Sequence, residues 1–477
     1  MTVDLDGKSL RLEDVIAVAR TGSPVAIAPA AVERMREARA IVDEHVSRGA
    51  AVYGTTTGVG ALKRVPVFGA DARSFSRRML DSCLVGHGEP VGEERVRATM
   101  LRLANTLVKP AVGVRPELAQ LVVDALNERR HPAVRLHGSV GQADMVPLAE
   151  LAVGLIEPAA FELMPGEGLA LIDNNAFSTG IAALAVHDLT VLSDALEIAG
   201  ALAMEAFGAN PSVLHPIVAE SAHPGLQLSV ASLRSTLAGS SLWEPGVPRN
   251  LQDPLTFRTL AQVLGALRDA TSYTVGRLAI ELNKAQNNPL VVVDERTIVS
   301  VGCFDSQALA SALDFARIAL APALTASVER VQKLLSSTMS GLAPGLAEHP
   351  ELADDGFFEF GVAAQAVAAE ARLLAQPVSF DLTSTSQAEG IEDRTCMTPL
   401  AARRLAEMVA LGEHVAAIEL VIAARGIDQR RPVRLGDGTA HAHSAVRAAL
   451  PDTGRVPRSI EPVRALIRER ALRRPEP

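Results

Sequence analysis

The chain has 477 residues, a formal net charge of −9, and 48% hydrophobic, 21% charged and 3% aromatic residues. An acidic chain without a lysine and arginine run interleaved with aromatics offers no field for a phosphate backbone, so we expect no nucleic-acid partner. The segment from Met1 to Asp6 lacks the basic-then-apolar order of a signal peptide, and no uncharged apolar stretch is long enough to cross a bilayer. We therefore expect no membrane partner and a cytoplasmic location.

Ala, Leu and Val dominate the composition, which favours helices packed through small aliphatic side chains and predicts a mainly α fold. Residues 1–190 alternate helical stretches with turns rich in Gly, Pro and Asn, whereas residues 191–477 contain long periodic segments with few breakers. We predict a loop-rich N-terminal part over 1–190 and a helical bundle with a charged C-terminal tail over 191–477.

The first polar motif is the loop Tyr53-Gly54-Thr55-Thr56-Thr57-Gly58-Val59-Gly60. Its glycines allow positive φ angles and a close approach of backbone to a ligand, and Tyr53 is its only ionisable side chain. Taken alone, this pattern predicts a tight structural turn more readily than a ligand-binding loop.

A second glycine-rich turn, Gly138-Ser139-Val140-Gly141-Gln142-Ala143-Asp144, leads into an apolar helix that Asp144 is placed to cap. Further polar clusters interrupt apolar sequence downstream. These clusters are Gly168–Asn175, Gln252–Arg258, Asn287–Leu290 and Ile391–Arg394.

Two helices of the second half are predicted from periodicity. The segment from Phe358 to Leu374 is amphipathic, with an apolar face formed by Phe358, Val362, Ala366, Ala369 and Leu373. Another helix should begin at Thr398-Pro399, with a buried stripe formed by Leu405, Met408, Val415, Ile418 and Ile422. Long antiparallel helices bury only one face within a monomer, so we expect an oligomer.

Cys83, Cys303 and Cys396 are far apart and show no paired spacing, which predicts reduced thiols. The pair His441-Ala442-His443 lacks a partner set for a metal, so we expect no metal site.

The glycine-rich loops and polar clusters described above occur in the same order as the conserved blocks of the histidine and aromatic amino-acid ammonia-lyases. They resemble those blocks over nearly the whole chain. The resemblance implies an ammonia-lyase/fumarase-like long helical bundle that forms a homotetramer. It also implies active sites built from loops of more than one subunit, so that Tyr53 and Glu392 need not come from the same chain. The ligand would be a small amino-acid-like molecule.

The same resemblance assigns roles to individual residues. Tyr53, in a loop that ends at Gly60, would be the base that removes the proton β to the carboxylate. Arg258 would bind that carboxylate, and Glu392 would lie near the substrate amine. The remaining matches, Asn288 and Phe304, fall in blocks that neighbour the substrate.

The chain departs from the family where the electrophile forms. The family carries Ala-Ser-Gly before the aspartate, and that tripeptide loses two waters and cyclises to methylidene-imidazolone. Here Gly141 is followed by Gln142, Ala143 and Asp144, with no serine to dehydrate and no glycine nitrogen to close the ring. We expect the prosthetic group to be absent and no other cofactor to replace it.

Three more positions differ. Leu255 stands for the family's tyrosine, Asp173 for its asparagine, and Cys83 for its substrate-selecting histidine, with His87 as the alternative at that last position. Asp173 and Glu392 would add negative charge that suits a cationic substrate. A purely structural alternative is that Asp173 caps a helix or pairs with an arginine.

Without the electrophile, ammonia is a poor leaving group, whereas a quaternary ammonium departs as a neutral tertiary amine. The ergothionase branch is similar in lacking the prosthetic group and eliminating trimethylamine from a histidine betaine. The leading hypothesis is therefore a carbon–nitrogen lyase acting on such a cation. The alternatives are a biosynthetic isomerisation or cyclisation, and a catalytically silent homologue or binding protein.

As a base, Tyr53 would need help at neutral pH, because a phenol titrates near pKa ~10. Either a lowered pKa or a neighbouring base would provide it. Helix N-termini or Arg258 are the candidate sources of a positive field.

Overall fold

The computed structural model describes residues 2–68, 70–380, 387–430, 434–453 and 455–473. The predicted mainly α fold is confirmed. The helices of the described chain are α1 (Leu12–Ile16), α2 (Pro29–Ser47), α3 (Ala70–Ser82), α4 (Glu93–Leu107), α5 (Pro116–Asn127), α6 (Met145–Ile156), α7 (Glu167–Ile172), α8 (Ala176–Phe207), α9 (Pro224–Thr236), α10 (Leu255–Arg258), α11 (Leu260–Asn283), α12 (Gln307–Leu335), α13 (Ser337–Ser340), α14 (Phe358–Leu373), α15 (Thr398–Arg430), α16 (Asp437–Ala449) and α17 (Glu461–Arg468).

The strands of the described chain form three short pairs. They are β1 (Val3–Leu5) parallel to β2 (Val25–Ile27), β3 (His87–Pro90) antiparallel to β4 (Arg135–His137), and β5 (Leu290–Val292) antiparallel to β6 (Thr297–Val299). The register of the third pair sets Leu290 opposite Val299 and Val292 opposite Thr297. This hairpin closes the segment that begins at Asn287.

The chain folds into two compact units, each drawn from three segments. Unit 1 comprises Met1–His187, Val275–Leu313 and Pro377–Arg403, and unit 2 comprises Asp188–Thr274, Asp314–Gln376 and Arg404–Pro477. The sequence division at residue 190 lies close to the point where the chain first passes from unit 1 to unit 2, after His187. Two segments from the second half of the chain nevertheless belong to unit 1.

Unit 1 is organised around α4, whose residues from Val96 to Leu107 are all buried. The guanidinium of Arg102 is fully buried and donates to the carbonyls of Glu281 at 3.0 Å and Lys284 at 2.9 Å. These carbonyls lie at the end of α11, where a cation is favoured by the helix dipole and by unsatisfied acceptors. Arg102 thereby fixes the chain just before Asn287.

Unit 2 contains the greater part of α15. The buried stripe predicted for this helix is confirmed, since Leu405, Met408, Val415, Ile418 and Ile422 are all buried. The helix begins at Thr398, so this residue lies inside the first turn rather than before it. Its hydroxyl lies 2.8 Å from that of Ser306.

Helix α14 forms where predicted, but the apolar face named from its periodicity points outward in this chain. Val362 and Leu373 are 57% and 70% exposed. The buried face consists of the small residues Gly361, Ala364, Ala368 and Ala371. The closest packing of the helix therefore uses residues of minimal volume.

One helix in the described part of the chain, α12, is long and apolar enough to cross a bilayer by length and composition. The sequence expectation concerned uncharged stretches and does not cover this helix, because Asp314 and Arg317 interrupt its apolar run. In the fold, 56% of its most apolar stretch is buried within the protein. Burial of this kind is also found in the core helices of proteins that never enter a membrane.

Candidate functional site

A cavity of about 550 Å³ lies in unit 1, which is within the range of small-molecule sites. Its walls come from the loops after β-strands and helices that are distant in sequence. Among the residues singled out from sequence, the walls include Tyr53, Gly60, Gln142, Asp173, Asn288, Phe304 and Glu392. A single chain thus brings Tyr53 and Glu392 to one cavity.

The Tyr53 loop turns back on itself so that its end meets its beginning. The Gly60 N–H donates to the Tyr53 Oη at 2.9 Å, and the Thr56 Oγ1 accepts from the Val52 N–H at 2.7 Å. Gly54 has a φ of 64°, and a Cβ there would clash with the Leu169 side chain. Glycine is therefore required at this close approach.

Glu392 is exposed in this chain and lies beside the same loop. Its Oε1 lies 3.7 Å from the point where a Cβ on Gly60 would stand. Nearby, the Lys63 Nζ lies 3.4 Å from the Glu389 Oε2, which ties the two segments together. Glu392 therefore reaches the neighbourhood of the Tyr53 hydroxyl.

The pKa of Tyr53 is raised, chiefly because its side chain is partly buried. The Gly60 N–H opposes this effect, while the negative charges of Asp173 and Glu392 raise the pKa further. The described residues therefore do not supply the positive field that was expected to lower this pKa. Tyr53 is a neutral phenol at pH 7 unless something else enters the cavity.

Asp173 follows the last residue of α7 and is only 7% exposed. Its Oδ2 accepts from the Asn288 N–H at 3.1 Å, which is the one hydrogen bond that the described residues provide to this carboxyl group. Burial, reinforced by Glu392, raises its pKa from 3.8 to about 8. The structural alternative, a helix N-cap or an arginine pair, does not hold in the described chain.

Asn288 is held in place by the start of the β5–β6 hairpin. Its Oδ1 accepts from the Val301 N–H at 2.8 Å, so its own N–H stays directed at Asp173. The carbonyl of Phe304 accepts from the Asn175 Nδ2, two residues beyond Asp173. Hydrogen bonds therefore hold the wall of the cavity on this side.

The glycine-rich turn 138–144 contributes Gln142 to the cavity wall, whereas Ala143 and Asp144 lie away from it. The Gln142 Nε2 donates to the Asp305 Oδ2 at 3.2 Å, and Ala143 has a φ of 64°. Beneath the turn, the buried Cys396 Sγ donates to the Gly141 carbonyl at 2.9 Å, and the Met397 N–H donates to the Val140 carbonyl at 2.9 Å.

Asp144 precedes α6, but its side chain makes no capping bond, which corrects the sequence expectation. The carboxylate instead accepts from the Ser178 N–H at 2.7 Å and from the Ser139 Oγ at 2.7 Å. It is completely buried, and burial raises its pKa although these bonds lower it. The residue joins the turn to α8.

Three predicted residues do not line the cavity. Cys83 is partly buried just after α3, where burial raises the pKa of its thiol, and His87 is exposed on β3 opposite His137. Arg258 ends α10 in unit 2, and its Nε donates to the Asp253 carbonyl at 2.7 Å. Their assigned roles remain predictions.

The cavity also contains residues that sequence analysis did not assign to a site. Asp305 lines the wall, accepts from the Gln307 N–H at 2.9 Å and lies 3.9 Å from the Arg394 guanidinium. Its position just before α12 was the available signal, because an acidic residue there caps the helix. Asp393 also lines the cavity, beside Glu392.

Carboxyl groups outnumber cations on the walls. Asp173, Asp305, Glu392 and Asp393 face a single cationic side chain, Arg394, among the lining residues. Such a surface attracts cations, and Tyr53 places a group able to exchange a proton at its edge. The arrangement suits proton transfer on a positively charged ligand.

Comparison with known proteins identifies the family. The family model for aromatic amino acid lyases matches residues 10–448. A histidine ammonia-lyase from Stigmatella aurantiaca is 34% identical over 492 aligned residues, which cover 98% of this chain and 96% of that protein.

Solved structures show the same fold. The ergothioneine-degrading ergothionase from Treponema denticola, in complex with desmethyl-ergothioneine sulfonic acid, has a TM-score of 0.91 and 27% identity over 99% of both chains. Histidine ammonia-lyase from Trypanosoma cruzi has a TM-score of 0.90 and 29% identity, covering 99% of this chain and 94% of that one. The chain therefore belongs to the aromatic amino acid lyase family.

Proposed function

We propose that this protein is a carbon–nitrogen lyase that acts without methylidene-imidazolone on an amino-acid-like cation. As the cation enters the cavity, Tyr53 loses its phenol proton to solvent; the phenolate then takes the proton from the β-carbon, and the C–H electrons form the Cα=Cβ bond. The C–N bond breaks, and the amine leaves neutral with the bonding pair. The observation that carries the proposal is the buried Asp173 carboxyl group, which accepts one hydrogen bond from the described residues and lines the same cavity as Tyr53.

The residues at the turn do not fit the family's prosthetic group. Ser139 is the only serine from Gly138 to Asp144, and it is flanked by Gly138 and Val140. Its Oγ donates to the Asp144 carboxylate at 2.7 Å and accepts from the Gly141 N–H at 3.1 Å. A hydroxyl that organises the turn in this way is a poor candidate for loss by dehydration, so no step is assigned to the ring.

The leaving group follows from that assignment. A primary amine leaves poorly unless an electrophile or a proton assists it, whereas a trimethylammonium group leaves as neutral trimethylamine without proton transfer. The likeness to ergothionase supports this choice. The acidic cavity supports it independently, because a permanent cation gains most from a field of that sign.

The carboxylate of the substrate needs a cation that faces it. We propose that Arg258 supplies it from a partner subunit of a cytoplasmic homotetramer, since Arg258 belongs to unit 2 and does not line the unit 1 cavity of its own chain. Mixing Tyr53→Phe with Arg258→Ala subunits tests this assignment. If each site uses both residues from different chains, the mixture recovers up to about one quarter of wild-type activity.

The function is tested by incubating the protein with trimethylammonium betaines of histidine, phenylalanine and tyrosine. We expect release of trimethylamine together with a conjugated unsaturated acid. Tyr53→Phe should lower kcat about 10²–10⁴-fold. Tyr273→Phe is the matched control, because Tyr273 is the other of the two tyrosines and is 49% exposed in unit 2.

Three kinds of result would contradict the proposal. One is the absence of amine release from every betaine. Another is an intact mass lower than the translated sequence by two waters, or ammonia release from plain histidine at a comparable rate. A third is exchange of a substrate β-hydrogen with solvent deuterium without amine release, which would indicate isomerisation or cyclisation instead.

A further inference from the structure

We propose that Asp173 selects a permanently charged substrate and that the substrate's quaternary ammonium group displaces the carboxyl proton of Asp173 when it binds. The inference rests on the proposed function for the class of substrate. It adds the residue that recognises the cation and a proton that leaves on binding.

The first argument is geometric. Asp173 is 7% exposed, lines the cavity and has one described hydrogen bond, from the Asn288 N–H to its Oδ2. A buried carboxylate without a cation is strongly destabilised, so the group must carry either a proton or a positively charged partner. In the described chain no cation occupies the position beside Asp173, and that position opens into the cavity.

The second argument concerns the surrounding charges. Three further acids and one base line the cavity with Asp173 and Tyr53, namely Asp305, Glu392, Asp393 and Arg394. Arg394 lies 3.9 Å from Asp305, and it is Glu392 whose charge acts on Asp173. The net field at Asp173 is therefore negative, which favours protonation of the empty site and attracts a cation.

The third argument is the protonation state. With a pKa raised to about 8 by burial, Asp173 is mostly protonated at pH 7. A fixed positive charge in contact with the carboxyl group favours its charged form and lowers that pKa. The proton then passes to solvent, leaving an ion pair between carboxylate and ammonium.

The fourth argument is chemical selectivity. A primary ammonium has N–H groups, which can donate hydrogen bonds to a neutral amide oxygen. A trimethylammonium has none, so it gains little from an amide and much from a negative charge. An aspartate in place of the asparagine implied by the family resemblance therefore matches a substrate without N–H groups.

The test measures binding separately from turnover. Histidine trimethylammonium betaine is titrated into Tyr53→Phe protein at pH 7, by calorimetry in buffers of different ionisation enthalpy. We expect close to one proton released per site. Trimethylglycine, which has no β-carbon and cannot eliminate, is the second probe and is used with the wild-type protein.

Substitution assigns the proton. In the Tyr53→Phe background, Asp173→Asn should abolish proton release and weaken betaine binding about tenfold or more, while histidine binding changes less. Asp393→Asn is the matched control, because Asp393 lines the same cavity but is exposed, and it should leave proton release unchanged.

Binding of both probes without proton release, or release that persists in Asp173→Asn, overturns the inference, as does a failure of both probes to bind. Proton release that depends on Asp173 supports it even if the wild-type protein eliminates no amine. Amine release by the wild-type protein without proton release on binding would retain the proposed function and reject this role of Asp173.

Discussion

Two buried carboxyl groups, one in each unit, have opposite surroundings. Glu419 in unit 2 is fully buried, accepts from the Arg330 Nη2 at 2.9 Å and is also bonded by the Arg330 Nε and the Ser327 hydroxyl. Asp173 in unit 1 is nearly as buried but has one backbone N–H and a cavity beside it. A carboxylate compensated by a cation holds a fold together, whereas an uncompensated one facing open space is suited to a ligand.

Asp144 is an intermediate case. No cation among the described residues pairs with it, but two serine hydroxyls and a backbone N–H direct hydrogen bonds at it. It does not line the cavity beside Tyr53, and its hydrogen bonds hold the turn against α8. The three acids together show that burial by itself does not mark a functional residue.

The largest effect is expected where compensation is complete. Arg330→Met leaves Glu419 buried without its cation, and we expect a loss of about 3–5 kcal/mol in the free energy of unfolding. Urea denaturation at pH 7 measures it. The double variant Arg330→Met, Glu419→Leu should recover most of the loss, because no buried charge then remains. A single variant within about 1 kcal/mol of wild type would contradict the structural role.

The sequence could predict much of the site but not its chemistry. The order of the polar blocks was enough to bring Tyr53, Asn288 and Glu392 into one hypothesis, because such order reflects a shared fold. It could not show that Arg258 is absent from this cavity, since block order does not say which unit a residue joins. Nor could it give the protonation state of Asp173, which depends on burial and on neighbours distant in sequence.

The second-largest effect is expected for Asp144, the buried acid that is held by hydrogen bonds. Ser178→Ala removes a hydroxyl that donates to the Asp144 Oδ2 at 2.5 Å and should lower the free energy of unfolding by about 1–3 kcal/mol. Thermal and urea unfolding give the value. Ser193→Ala is the control on the same helix, α8, because the one partner that the described residues give its hydroxyl is the Leu189 carbonyl one turn back. Equal effects in both variants would show that the Asp144 bond contributes nothing special.

The helices were predictable to different extents, for a packing reason. The face of α15 could be predicted because large apolar residues are needed to fill the space around it. The face of α14 could not, since both of its sides are apolar and the buried one is chosen by small volume. Gly361 there approaches Gln332, whose Nε2 donates to the Gly361 carbonyl at 2.9 Å. Hydrophobicity alone does not distinguish a face that fits from one that is merely apolar.

Replacing Asp173, the buried acid without a cation, should stabilise the fold, whereas the two substitutions above destabilise it. Because the pKa of Asp173 rises from 3.8 to about 8 on folding, the folded protein retains a proton that the unfolded chain loses. Stability therefore falls as pH rises through that window and levels off above it. Asp173→Asn lacks this penalty, so at pH 9 it should be more stable than the wild type, with the difference vanishing near pH 4. Melting temperatures across pH measure it, and a pH-independent difference would refute the shift.

The smallest effect tests whether Gln142 belongs with the structural or the ligand-facing groups. Its amide donates to the Asp305 Oδ2 at 3.2 Å, but Asp305 also keeps the Gln307 N–H, and the turn is held from beneath by Cys396 and Met397. Gln142→Ala should therefore change the free energy of unfolding by only about 0.5 kcal/mol.

Because Gln142 lines the cavity, the substitution should mainly weaken ligand binding and raise the KM for a betaine substrate. Unfolding and steady-state kinetics on the same preparation separate the two effects. A stability loss above about 2 kcal/mol would place Gln142 with Asp144 as a residue that maintains the turn. A small stability change with an altered KM would place it with Asp173, among the side chains that the fold leaves available for binding.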